Sequence, residues 1–196
     1  MTDTRQAAVD WLGENELRLP PGLVLSFQRY ELPASGVIDR APASLGALPV
    51  ALSRDGELLL PLAPRECFWI GVTSDAARPL SLSAAIERDD GSVTDVLSGA
   101  AWNAADPACA EVPGVSRIDG VRRADGNFEP LLRDDGSGSG PHDRRLLLVV
   151  NAHDATAAPL TATLEFVDYV VFSARCGSAP PAPLDRDAGY KGWLLP

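Results

Sequence analysis

RRLLLVVNAHDATAAPLTATLEFVDYVVFSAR, residues 144–175, is the stretch whose reading decides the fold class. From Leu160 the pattern alternates, with Leu160, Ala162, Leu164 and Phe166 on one side and Thr161, Thr163 and Glu165 on the other, the period-two signature of a half-buried strand. Upstream, Leu146, Leu147, Leu148, Val149 and Val150 are apolar at every position, which predicts a strand covered on both faces. Joined by the polar loop between them, the two runs read as a hairpin at the centre of a sheet within a layered all-β fold.

Working outward, the same period recurs. Residues 23–32 alternate Leu23, Leu25 and Phe27 against Val24, Ser26 and Gln28, and residues 66–73 set Phe68, Ile70 and Val72 against Cys67, Trp69 and Thr73. Residues 80–87 alternate Leu80, Leu82, Ala84 and Ile86 against Ser81, Ser83 and Glu87, and the turn Asp89-Asp90-Gly91 returns residues 92–97 as a hairpin mate. Two short strands fit residues 49–52 and 57–62 around the corner Asp55-Gly56, with Pro61 and Pro64 placing them at a sheet edge. Between residues 112 and 133 the period is weak, and DDGSGSGPHD, residues 134–143, is a polar surface loop by composition. At the N-terminus Ala8, Trp11 and Leu12 fall at helical spacing behind a capping Asp3, so residues 1–18 read as a helical segment that Pro20 and Pro21 terminate. Residues 176–196 form a Pro-rich, irregular tail whose Tyr190, Trp193, Leu194 and Leu195 are expected to dock on the body. The economical architecture is a two-layer antiparallel β-sandwich, jelly-roll-like, forming a single domain over residues 1–196; an open-ended barrel is the second choice.

Composition narrows function. The 196 residues suffice to bury roughly 70% of the unfolded surface in one core. With 27 acidic against 17 basic residues the net charge is −10, which repels phosphate backbones and anionic lipid, so neither nucleic acid nor a membrane surface is an expected partner. Nor does any run approach the ~20 apolar residues of a membrane span. The residues before Trp11 lack the uninterrupted apolar core of a secretory signal, and the three widely spaced cysteines form no disulfide or zinc pattern. These features predict a cytoplasmic protein with free thiols, Cys67 among them as a small buried hydrophobe.

Few residues offer chemistry. Five Asp-Gly pairs are explained by tight turns, and their spacing does not match a calcium loop. His142 and His153 are the only histidines, each beside an aspartate, so no metal centre and no cofactor is implied. No nucleophile elbow, zinc-protease helix motif or phosphate-binding glycine loop is present. Asp168 falls on the apolar face of the last strand, which leaves two readings: a bulge near Val167, or an inward carboxylate paired with Arg29 from the inward parity of the first long strand. Such a pair would be structural, the preferred reading, or a ligand clamp. Trp69 and Trp102, with Tyr190 and Trp193, are candidates for a sugar-stacking platform, Trp102 being the best placed to be exposed.

Leu19-Pro20-Pro21-Gly22-Leu23, then Phe27-Gln28-Arg29, then Glu66-Cys67-Phe68-Trp69 resemble, in order, the opening motifs of a family of uncharacterised bacterial proteins. The resemblance covers about the first two thirds of the chain, up to Phe128, and departs after Arg29, where Tyr30-Glu31-Leu32-Pro33 replaces a longer insertion. It carries no activity, and implies only that Phe27, Gln28, Arg29 and Trp69 belong to something shared. The preferred function is a non-catalytic module binding a protein partner or small ligand through residues among Arg29, Trp69, Trp102, His153 and Asp168. The alternatives are an enzyme with Asp168, Arg29 and His153 converging in a cleft, and a carbohydrate-binding module using exposed aromatics.

Overall fold

The computed structural model describes residues 11–13, 15–133, 143–152 and 158–184. In chain order the strands are β1 (Leu17–Leu19), β2 (Leu23–Glu31), β3 (Ala47–Leu48), β4 (Ala51–Leu52), β5 (Leu58–Pro61), β6 (Glu66–Ser74), β7 (Leu80–Arg88) and β8 (Val93–Asp95). Short pieces follow, β9 (Ala110–Val112), β10 (Arg117–Ile118), β11 (Val121–Arg122), β12 (Phe128–Glu129) and β13 (Leu131–Leu132), before the long β14 (Asp143–Ala152) and β15 (Leu160–Val167). A single helix among the described residues, α1 (Tyr169–Cys176), comes last. The fold is all-β.

One large sheet has the order β1-β2-β6-β10, with β3 also paired to β2 and β13 to β6; a second runs β4-β5-β15-β14-β7-β8, with β9 also paired to β7; and β11 and β12 form a separate two-stranded antiparallel sheet. The central hairpin sits inside the second sheet, where β14 is flanked by β15 and β7. Pairing is antiparallel except between β5 and β15, which run parallel from Leu58 opposite Leu164 to Pro61 opposite Val167. This pairing also corrects the edge assignment of Pro61. Strand β5 is interior, and Pro61 is tolerated as its last residue because Leu62 N–H takes up the bond to Val167 O, at 2.8 Å.

The period-two pattern does what it should: Leu23, Leu25 and Phe27 from β2, Phe68 and Ile70 from β6, Leu82, Ala84 and Ile86 from β7, and Leu146, Leu148, Leu164 and Phe166 from the hairpin lie in one buried cluster. Both sheets therefore bury one face in the same core. Phe68 links them, meeting Phe27 edge-on in its own sheet and Phe166 of the other sheet at 5.5 Å and 82°. On the far face of β14, Leu147 and Val149 are only half-buried, so the expectation of a strand fully covered on both faces holds for one face.

Two terminal expectations change. Of the N-terminal helical segment, residues 1–10 and Glu14 lie outside the described residues, and the remainder is not helical: Leu12 bridges Leu17, Arg18 N–H donates to Trp11 O, and β1 pairs with β2. Leu17-Arg18-Leu19 alternates buried, exposed, buried, and that strand period wins over the helical spacing of Trp11 and Leu12. At the other end the strand stops at Val167, and residues 169–176 turn into α1. Among the described residues no helix is long and apolar enough to cross a membrane.

Because Phe68 fills the space between the sheets, Phe68→Ala is expected to lower stability by about 3–5 kcal/mol, whereas Val170→Ala, at an exposed position, changes it by less than about 0.5 kcal/mol. Urea-denaturation midpoints of the two variants check the difference.

Candidate functional site

The register defines two ends of the molecule. At one, Leu23 pairs with Ser74, Val150 with Leu160 and Ala152 with Leu80; at the other, Glu31 pairs with Glu66, Arg145 with Glu165 and Val167 with Pro61. The two ends are finished differently.

The second end is closed by polar chemistry. Arg29 continues the inward parity of Leu23, Leu25 and Phe27, and Glu66 that of Phe68 and Ile70, so a guanidinium and a carboxylate meet on the core side of adjacent strands. Arg29 Nη1 donates to Glu66 Oε1 at 3.2 Å, with the two side chains 10% and 1% exposed. A buried pair of this kind persists only when its remaining lone pairs and protons are satisfied. Glu66 Oε2 accepts from the Tyr169 hydroxyl at 2.8 Å and from Ala63 N–H at 2.9 Å, and Arg29 Nη1 also reaches Tyr169 Oη at 3.3 Å and Ala182 O at 2.8 Å. Burial, reinforced by the hydrogen bond to Glu66, pushes the Tyr169 phenol well above its usual range, so it serves as a proton donor here and not as a charge. Arg29 Nε is buried and has no hydrogen-bond partner among the described residues.

Tyr169 is delivered by α1, whose boundaries are capping chemistry. The Asp168 carboxylate accepts from Val171 N–H at 2.7 Å, and Gly177, at φ 76°, supplies the left-handed residue whose N–H bonds Ser173 O. Phe172 buries the helix against Leu59 and Val167. Asp168 is thus neither at a bulge nor a buried carboxylate. The inward Arg29 does have a carboxylate partner, but it is Glu66, and the expected Arg29–Asp168 pair is not formed.

Beside this end lies a second polar cluster. Arg88 Nε binds Asp143 Oδ1 at 3.2 Å, its Nη2 binds Glu129 at 3.0 Å, and its Nη1 reaches Thr94 Oγ1 at 3.3 Å. Burial, only partly opposed by Arg88, raises the Asp143 carboxyl from 3.8 to about 7. A shallow cavity of about 340 Å³ adjoins it, lined largely by charged groups including Arg133, Arg144, Glu165 and Asp168.

The first end is apolar and open. The cavity there, about 640 Å³, has Leu80, Val150 and Leu160 as its floor and Pro20, Pro21, Ala76, Ala77 and Ala152 as walls, with Arg78 on the lining. That volume falls in the range of small-molecule sites. Gly22, at φ 124°, turns the chain out of the Pro20-Pro21 corner, and a Cβ there would collide with Asp75 Oδ1, so the wall depends on a glycine.

The remaining candidates are scattered. Trp69 is half-buried, packs beside Tyr30, Ile38 and Cys67, and donates its Nε1–H to Pro42 O at 3.1 Å. Trp102 is half-buried too, and among the described residues the exposed large hydrophobic side chains are Val170 and Val171. His153, Tyr190 and Trp193 lie outside the described residues. All three cysteines are free, and burial of Cys67, with Glu66 beside it, drives its thiol pKa up and keeps it protonated. Two of the Asp-Gly corners use their carboxylates locally, Asp90 accepting from Ser92 N–H at 2.8 Å and Asp125 from Asn127 N–H at 3.0 Å. No protein-family model, curated protein or solved structure matches this chain.

Glu66 and Tyr169 were not singled out from sequence. Glu66 was accessible in principle, since it shares the parity of Phe68, Ile70 and Val72. Tyr169 was not, because its position depends on the helix replacing the strand.

The Asp143 shift fixes a sign. A carboxyl whose pKa is higher folded than unfolded binds protons preferentially in the folded state, so its stabilising contribution is complete below about pH 4 and is lost as pH rises through about 7. Stability of the unaltered chain minus that of Asp143→Asn, from denaturant midpoints at successive pH values, is expected to fall across that window. A constant difference would contradict the assignment.

Proposed function

We propose that this chain is a binding module of two-layer sandwich architecture, jelly-roll-like in the way its strands pass back and forth between the sheets, that receives a small apolar molecule at its open end. The supporting observation is the cavity of about 640 Å³ where both sheets run out together, floored by Leu80, Val150 and Leu160. The floor comes from β7, β14 and β15 of one sheet and the Pro20-Pro21 corner from the other, and an apolar guest would remove the exposed apolar surface of Leu160, Ala77 and Ala158 from water at ~25 cal/mol per Å². The polar side chains at the other end support a structural role instead: Arg29 pairs with Glu66, Asp168 caps α1, and Asp143 pairs with Arg88. Of the enzyme reading's residues, Arg29 pairs with Glu66 and Asp168 caps α1, while His153 lies outside the described residues. Three free thiols support a reducing, cytoplasmic setting, and the excess of acidic residues supports a ligand or protein partner over nucleic acid.

A neutral naphthylamine dye titrated into the protein is expected to bind saturably with a rise in fluorescence. Ala77→Trp, at an exposed wall position, fills the mouth and is expected to weaken binding at least about tenfold, while Val170→Ala at the far end leaves it unchanged. Unsaturable fluorescence, or dye binding indifferent to Ala77→Trp, would remove this reading.

A further inference from the structure

The closed end is sealed in part by residues 178–184, SAPPAPL, an irregular segment that follows Gly177 and lays the carbonyl of Ala182 on the buried guanidinium of Arg29 at 2.8 Å. Its conformation is written in its composition. Pro180, Pro181 and Pro183 fix their own φ, and each also restricts the residue before it to extended backbone. An extended proline-rich strand has little conformational freedom to lose on docking and presents carbonyls without competing N–H groups, which is why such segments recur as recognition peptides.

The way this segment is held is lopsided. Residues 177–180, 182 and 183 are exposed, so the strap contributes little burial, whereas its receptor is nine-tenths buried and preformed by Glu66 and the Tyr169 hydroxyl. Nη1 of Arg29 serves three acceptors with two protons, and its Nε has no partner among the described residues. The donor array is thus fixed by the core, and its carbonyl ligand is the loosely held member, the kind of segment that opens locally at low free-energy cost.

We propose that the Arg29 end is a docking site for a proline-rich segment of a partner protein, and that residues 178–184 are a strap occupying that site in cis. The partner is an uncharged, extended peptide with proline on either side of the carbonyl that Arg29 receives, because that is the chemistry of the resident. Tethering gives the strap an effective concentration in the millimolar range, so a free peptide competes poorly until the strap is weakened. This site is distinct from the apolar cavity, which lies at the opposite end of β2 and β6.

The test uses fluorescently labelled SAPPAPL and the full chain. With Pro180, Pro181 and Pro183 replaced together by glycine, the strap loses its stiffness, and the peptide is expected to bind at least tenfold more tightly than to the unaltered chain. A second peptide with the Ala-Pro amide corresponding to Ala182 replaced by its trans-alkene isostere, which removes the carbonyl without adding a charge, is expected to lose at least tenfold in affinity for the same chain, a comparison that leaves the protein untouched. Equal binding of the two peptides, or no gain on loosening the strap, would overturn the proposal. So would a dimer of the unaltered chain in sedimentation equilibrium with no peptide capture, which assigns the site to the strap of a second copy.

Discussion

The arrangement depends on one buried ion pair. Arg29 and Glu66 stand on adjacent strands at positions that parity assigns to the core, where an uncompensated charge would cost several kcal/mol. Each is tolerable only with the other present and with the hydroxyl of Tyr169 and the N–H of Ala63 completing the coordination. Those two donors come from opposite sides: Ala63 from the crossing between β5 and β6, Tyr169 from the first turn of α1. The ion pair therefore ties the last strand, its helix and the strap to the two longest strands of the other sheet. It makes this end of the molecule specific in a way that apolar packing alone would not.

That closure sets the asymmetry of the molecule. Between the ends the core is ordinary hydrophobic packing, with Phe27, Phe68 and Phe166 meeting edge to face across the sheets. Where Arg29 and Glu66 stand, polar groups demand partners and recruit helix and strap to supply them. At the opposite end, among the described residues, Leu80, Val150 and Leu160 border a cavity whose lining is small and proline side chains together with Arg78. One end is closed by polar contacts within the chain, and the other carries the apolar cavity of about 640 Å³.

Much of this was legible in the sequence because period two is a direct consequence of strand geometry. Leu23, Leu25 and Phe27, or Leu160 to Phe166, declare both their strand and their buried face, and the same parity placed Arg29 inward. Sequence reading failed where a different principle took over. Tyr169-Val170-Val171-Phe172 looks like more strand, yet Asp168 and Gly177 cap it as a short helix, and capping outweighed β propensity. The carboxylate answering Arg29 was sought on β15, although Glu66, opposite Glu31 on the neighbouring strand, satisfied the same parity rule. Composition gave no hint of the cavity, because it is a property of where two sheets stop and not of any motif.

A double-mutant cycle on Arg29→Met and Glu66→Leu, read as unfolding free energies from denaturant titration, tests the central claim most directly. Each single variant should lose about 3–5 kcal/mol by stranding a buried charge, and the double variant, with both charges gone, should recover most of that loss. Single effects that simply add in the double variant would contradict the claim that the two charges are held at the core only by one another.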